Sequence, residues 1–93
     1  MVPMVRIYIK RDNVIAERLN AGLVLTRLGT DRLLILNGTA QAIWDQIDGC
    51  NSIDTVISRL ADQFRQSPEV ILKDVTAFIE QLLARDLIIE MPL

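Results

Sequence analysis

The segment Leu33-Leu34-Ile35-Leu36-Asn37-Gly38-Thr39-Ala40-Gln41-Ala42-Ile43-Trp44 decides the fold, because an apolar strand leads almost directly into an amphipathic helix. A half-buried antiparallel strand alternates apolar and polar residues, whereas residues 33–36 are large aliphatic residues without interruption. Both faces of this strand therefore have to leave water. Either the domain itself covers both faces, or a binding partner covers one of them.

The residues before this segment have the pattern of further strands. Residues 14–19 and 23–28 are extended stretches, and Asn20-Ala21-Gly22 supplies the turn between them. Leu28-Gly29-Thr30-Asp31-Arg32 has the glycine and the short polar residues of a hairpin loop. The sequence predicts a three-stranded antiparallel meander whose last strand is 33–36.

Two short segments at the ends of the chain also have strand character. Residues 5–9 alternate in polarity, so we expect residues 1–13 to form an extra strand or a tail in front of a domain spanning 14–93. A domain this small has few places to bury another strand, which suggests a homodimer through the N-terminal strand. Residues 87–90 are predicted as a last short strand.

Helix signals follow the meander. Apolar residues recur at helical spacing after residue 39, and Gly49 is expected to end this first helix. The second helix is predicted to begin at Ser52, and the third begins with a Ser67 cap and Pro68. The predicted apolar side of the third helix is Ile71, Leu72, Val75, Phe78, Ile79, Leu82 and Leu83. The fold class is α+β: a winged helix-turn-helix-like domain, with an N-terminal three-stranded antiparallel sheet followed by three helices.

Composition excludes most enzyme classes. The chain of 93 residues contains no histidine and a single cysteine, Cys50, so neither a Cys/His nucleophile pair nor a cysteine-rich zinc site can form. Its four glycines are spread singly along the chain, which leaves no glycine-rich phosphate loop. We predict a protein that is not an enzyme and that needs no metal or cofactor.

The sequence also argues against a membrane location. The apolar runs are far shorter than the about 20 residues that cross a bilayer. The first residues lack the basic and apolar regions of a secretory signal, and a lone cysteine suits a reducing compartment. We expect a cytoplasmic protein without a membrane partner.

Charge argues against a nucleic-acid partner. In a winged helix the third helix would contact DNA, yet between residues 68 and 86 acidic residues outnumber basic ones. The formal net charge of the chain is −2. Because Lys and Arg contacts to phosphates supply most nonspecific DNA affinity, DNA binding is the weaker alternative.

Several short motifs, taken together in order, carry a family resemblance. They are Leu36-Asn37-Gly38-Thr39-Ala40-Gln41-Ala42-Ile43-Trp44, Asp48-Gly49, residues 53–64, Asp74-Val75, Leu82 and Asp86-Leu87-Ile88. Over about residues 14–90 the chain resembles the PqqD family, the recognition elements for leader peptides of ribosomally made, post-translationally modified peptides. The resemblance implies a module that binds a precursor's leader peptide and presents it to a separate modifying enzyme or leader protease.

Within the family, the loop at 28–32 lacks the proline that proteins of pyrroloquinoline quinone synthesis usually carry there. The Asn37-Gly38-Thr39-Ala40 start of the first helix, with Trp44 downstream, is more similar to the stand-alone leader-binding proteins of lasso-peptide pathways. We therefore favour a lasso-type partner, a leader protease. The alternative is a peptide chaperone for a radical SAM enzyme in pyrroloquinoline quinone biosynthesis.

The resemblance implies that the leader lies as an added strand against residues 33–36, in a groove bordered by the third helix. An exposed strand edge gives a peptide main-chain hydrogen bonds, and pockets for alternate side chains give specificity. Beside the apolar side of the third helix runs a mixed stripe that suits such a groove. The candidate peptide-binding residues are Leu33, Leu34, Ile35, Leu36, Val70, Lys73, Asp74, Ala77 and Gln81. Trp44 is expected to lie in the core instead.

Overall fold

The structure is a computed structural model, and it describes residues 6–20 and 22–91. In chain order the elements are β1 Tyr8–Lys10, β2 Val14–Leu19, β3 Gly22–Arg27, β4 Leu33–Leu36, α1 Gly38–Gln46, α2 Ile53–Phe64, α3 Pro68–Ala84 and β5 Ile88–Glu90. The predicted α+β class, with a three-stranded antiparallel sheet ahead of three helices, is confirmed. The described residues add a second, two-stranded sheet to that plan.

The larger sheet is the predicted meander. Its strand order is β2-β3-β4, and Leu25 in the middle strand lies opposite Ala16 of β2 and Leu34 of β4. The loop before β4 closes as a hairpin, in which the Thr30 hydroxyl donates to the Arg27 carbonyl oxygen at 3.0 Å. The segment 33–36 is thereby placed at an edge of the sheet.

The smaller sheet pairs the two ends of the described chain. β1 and β5 are antiparallel, with Ile9 opposite Ile89. Strand structure begins at Tyr8, and Val5 of the predicted segment 5–9 lies outside the described residues. Because the N-terminal strand has a partner in its own chain, the reason for expecting a dimer through this strand no longer holds.

Local capping chemistry sets the starts of two helices. The Ser52 Oγ accepts the Thr55 N–H of α2 at 3.3 Å, and the Ser67 Oγ accepts the Val70 N–H of α3 at 3.4 Å. Pro68 occupies the first turn of α3, where a missing N–H is harmless. These predicted helix starts are confirmed.

The end of α1 differs from the prediction. The helix stops at Gln46, before Gly49. The reason is a turn held by Asp48, whose Oδ1 accepts the N–H groups of Cys50 and Asn51, each at 2.9 Å. Gly49 lies within this turn with a φ of 80°, so its left-handed backbone serves the turn and not the helix end.

The core lies between the meander and the helices. Trp44 is buried, as predicted, and the Lys10 Nζ lies 4.7 Å from the centre of its ring. On α3 the expected apolar side proves too wide, because Leu72 and Leu83 are 39% and 37% exposed. Both are only partly covered, and Leu83 shares a shallow recess with Tyr8 of β1 and Ile53 of α2. The buried residues of α3 are Ile71, Val75, Phe78, Ile79 and Leu82.

Candidate functional site

The edge formed by β4 is the candidate site. β4 pairs with β3 on one side, and no other strand of the described residues lies against its second side. Proteins commonly protect such edges with charged residues or proline. β2, the opposite edge, carries Glu17 and Arg18, whereas β4 contains only leucine and isoleucine. β4 is therefore the unprotected edge of this sheet.

The backbone groups of Leu33 and Ile35 point away from the sheet. The Leu36 carbonyl points toward β3, because a Cβ added to Gly22 would collide with its oxygen. In an antiparallel ladder the N–H and C=O of one residue point to the same side, and successive residues alternate. The backbone groups of Leu34 thus point toward β3, like those of Leu36. The backbone groups of Leu33 and Ile35 point the opposite way. These two residues offer hydrogen-bonding groups to an extended peptide.

The two faces of β4 differ in exposure. Leu36 is 2% exposed and Leu34 is half-buried on the core side. Leu33 and Ile35, on the other face, are 58% and 59% exposed. The domain itself therefore covers one face of the strand and leaves the other in solvent. The side chain of Leu36, included among the predicted peptide-binding residues, belongs to the core.

The predicted α3 stripe is exposed along its whole length. Its members are Val70, Lys73, Asp74, Ala77 and Gln81. Ala84 continues the stripe at helical spacing, and it lines the same cavity as Leu34 of β4. The structure thus places Ala84, one turn beyond the last predicted stripe residue Gln81, and Leu34 of β4 in the wall of one recess.

That recess, which we call the arginine-rich cavity, has a volume of about 250 Å³, and the sequence-based prediction missed it. Its walls come from the end of β3, the start of β4 and the turn after α3. The lining residues are Leu25, Arg27, Thr30, Arg32, Leu34, Ala84, Arg85, Asp86 and Leu87. A sequence signal does exist, because an arginine stands at each of these three element ends. Only the tertiary structure shows that the three ends converge.

The cavity has an ion pair in its wall. The Arg27 Nη1 lies 3.1 Å from the Asp86 Oδ2, and the Arg11 Nη2 lies 4.0 Å from the Asp86 Oδ1. Arg32 and Arg85 form no ion pair with any carboxylate in residues 6–20 and 22–91. The wall therefore carries more positive than negative charge.

Two groups with shifted pKa values lie outside this cavity. Hydrogen bonds from the Asn51 and Cys50 backbone N–H groups lower the pKa of the Asp48 carboxyl group. Burial lowers the pKa of Lys10, against the opposing effect of Asp45 and Asp48. The Asp48 shift thus results from the turn after α1, and the Lys10 shift results from the packing around Trp44.

The described residues contain no grouped metal ligands, and their third helix is acidic. No group of His, Cys, Asp and Glu side chains within them is arranged to hold a metal ion. On α3, Glu69, Asp74 and Glu80 are exposed beside a single basic residue, Lys73. Such a helix repels phosphates. Among the helices of 6–20 and 22–91, none has both the length and the apolar character for crossing a membrane.

Comparison with protein families gives a match over most of the chain. The family described as coenzyme PQQ synthesis protein D (PqqD) matches residues 22–88. The chain belongs to the PqqD family. The matched region contains the free edge β4, all three helices and every residue that lines the arginine-rich cavity. β1 and β2 precede it.

Among solved structures, this PqqD-family chain is similar to "TbiB1 in Complex with the TbiA(beta) Leader Peptide". The TM-score is 0.76, and the likeness covers 86% of this chain and 93% of that chain at 16% sequence identity. At this identity the likeness shows a shared fold. Comparison with curated protein sequences gives no match.

Proposed function

We propose that this PqqD-family protein binds the leader peptide of a ribosomally synthesised precursor by strand addition at β4. The unprotected edge carries the proposal, because Leu33 and Ile35 turn their backbone groups outward on a strand without charge or proline. An extended peptide can complete such a ladder. The TbiB1 structure supports the choice of partner, since that protein of the same fold is described in complex with a leader peptide.

α3 forms the second wall of the proposed groove. The exposed stripe begins at Val70 and runs toward β4 at Ala84. Ala77 is small enough to let a peptide backbone approach the helix, and Gln81 supplies a polar contact. Lys73 and Asp74 are both exposed and can fix a charged residue of the leader. The groove thus combines main-chain hydrogen bonds on one side with side-chain selection on the other.

A separate enzyme carries out the chemistry in this proposal. The chain has no histidine, and its one cysteine is exposed. The protein therefore acts by holding the precursor so that its core segment reaches a partner enzyme. We favour a lasso-type pathway with a leader protease, because the 28–32 loop lacks proline and the first helix begins Asn37-Gly38-Thr39-Ala40.

The second candidate is a peptide chaperone for a radical SAM enzyme in pyrroloquinoline quinone synthesis. The match to coenzyme PQQ synthesis protein D favours it. The two candidates differ in what happens to the bound precursor. Mass spectrometry of the precursor, incubated with this protein and the enzyme encoded beside its gene, separates them. A cleaved leader indicates the protease pathway, and an uncleaved but modified core indicates the radical SAM pathway.

Peptide binding is tested directly by calorimetry. Short open reading frames beside the gene are translated into synthetic peptides, each divided into an N-terminal and a C-terminal half. We expect an N-terminal half to bind with a Kd of about 1 μM or tighter, or about −8 kcal/mol. If no half binds, or if only C-terminal halves bind, leader recognition is refuted. Peptide turnover by this protein alone, or a salt-sensitive complex with duplex DNA, would also contradict the proposal.

Two proline variants test the edge itself. Ile35→Pro removes an outward-facing N–H from β4 while the pairing with β3 keeps its donors. Ala16→Pro is the matched control, since by the same alternation its N–H points away from β3 at the β2 edge. We expect Ile35→Pro to abolish leader binding and Ala16→Pro to leave it intact. Circular dichroism checks that both variants fold. A folded Ile35→Pro protein with unchanged affinity would show that the leader docks elsewhere.

A further inference from the structure

The cavity at the start of β4 has an excess of hydrogen-bond donors. Arg27, Arg32 and Arg85 line it, and Asp86 is the one carboxylate among its lining residues. That carboxylate is already engaged by Arg27 at 3.1 Å and by Arg11 at 4.0 Å. Arg32 and Arg85 have no carboxylate partner among the described residues. The cavity can therefore accept a further anion.

A further donor, on a residue that lines the cavity, is also without a partner. The Nε of Arg27 is buried and has no hydrogen-bond partner in the described part of the chain. Buried donors in folded proteins are nearly always paired. The rest of the lining includes the apolar side chains Leu25, Leu34 and Leu87, which reduce competition from water. Planar guanidinium groups in such surroundings bind carboxylates in a bidentate manner.

The position of the cavity links it to the proposed peptide strand. Arg32, directly before β4, and Leu34 are two residues apart and both line the cavity, so their side chains leave the backbone on the same side. In an added strand, every second side chain points to that same face. A peptide residue opposite the start of β4 therefore directs its side chain toward the arginines.

We propose that this cavity receives an aspartate or glutamate side chain of the bound leader, and that Arg32 and Arg85 contact its carboxylate. The inference rests on the proposed leader binding and specifies its sequence requirement. The acidic residue anchors one end of the added strand and fixes its register on β4. An apolar residue two or four positions away then lies on the same face, near Leu34.

Selection from a random library tests this requirement even while the precursor is unidentified. Random 12-residue peptides are displayed and selected on the full-length protein, then on Arg32→Glu/Arg85→Glu. Arg59→Glu/Arg65→Glu is the matched control, because it makes the same charge change at residues that do not line the cavity. We expect the native protein and the control to enrich peptides with Asp or Glu two or four positions from an apolar residue. The reversed variant should enrich Lys or Arg at that position.

The outcomes separate this inference from the proposed function. Enriched peptides without an acidic preference, or an acidic preference that survives the reversal, overturn the anchor while peptide binding stands. Failure to enrich any peptide overturns both. For the best selected peptide, replacing its acid with the matching amide should weaken binding to the native protein about tenfold. The same replacement should have little effect on peptide binding to Arg32→Gln/Arg85→Gln, in which both proposed carboxylate contacts are removed. If Arg32→Glu/Arg85→Glu does not fold, the acid-to-amide replacement in the peptide tests the acidic anchor by itself.

Discussion

Arg27, the last residue of β3, is joined to Asp86, just after α3, by a hydrogen bond of 3.1 Å between Nη1 and Oδ2. The two residues are 59 positions apart in the chain. Asp86 has a φ of 57°, in the left-handed region. The contact therefore ties the sheet to the turn that closes α3, and these are two walls of the arginine-rich cavity.

Substitutions at Asp86 separate the backbone turn from the ion pair. Because the two side chains are 32% and 59% exposed, we expect the ion pair to contribute less than about 1 kcal/mol. Asp86→Asn, which tolerates a left-handed backbone, should change the free energy of unfolding by no more than that. Asp86→Val should destabilise the protein by about 1–2 kcal/mol more than Asp86→Asn, because valine disfavours a left-handed backbone. Urea denaturation measures the free energy of unfolding of both variants. Equal losses of stability in the two variants would contradict a backbone requirement at Asp86.

Substitutions on α3 separate packing from recognition. Phe78 is 8% exposed, so Phe78→Ala should destabilise the fold by about 3–5 kcal/mol. Asp74→Arg and Ala77→Arg change exposed positions and should leave stability within about 0.5 kcal/mol. They should weaken leader binding instead. If calorimetry shows unchanged affinity in both surface variants, α3 is not a wall of the groove.

Two glycine substitutions test the close approach of β3 and β4. Gly22 has a φ of 137°, and an added Cβ would collide with the Leu36 carbonyl oxygen. Gly29 has a φ of 89° but has no atom within 4 Å of such a Cβ. We expect Gly29→Ala to cost about 1 kcal/mol of backbone strain and Gly22→Ala to cost clearly more. Thermal unfolding ranks the two. Equal melting temperatures would mean that the ladder adjusts freely at Leu36.

The Asp48 turn predicts a pH dependence of stability. Its carboxylate accepts the N–H groups of Asn51 and Cys50, which holds its folded pKa below the value of about 3.9 expected for the unfolded chain. The stabilisation is therefore complete above that unfolded value and is lost as the pH falls through the folded pKa. The stability difference between the native protein and Asp48→Asn should be constant above about pH 5 and should change below about pH 4. An NMR titration that placed the Asp48 pKa at or above 3.9 would contradict this.

Features governed by neighbours along the chain were predictable from the sequence. The extended stretches of β2 and β3, the loop before β4 and the Ser67-Pro68 start of α3 each depend on a few adjacent residues, so their patterns are visible without the fold. The family resemblance was also predictable, since it rests on the order and spacing of short motifs. The match over residues 22–88 confirms it.

Features that need contact between distant segments were decided only by the tertiary structure. The four aliphatic residues of β4 demanded cover on both faces, but packing alone determined that Leu36 is buried and Ile35 is exposed. The pairing of β1 with β5 joins the two ends of the described chain, and no local pattern encodes it. The same holds for the cavity, because Arg27, Arg32 and Arg85 meet only when β3, β4 and α3 pack together.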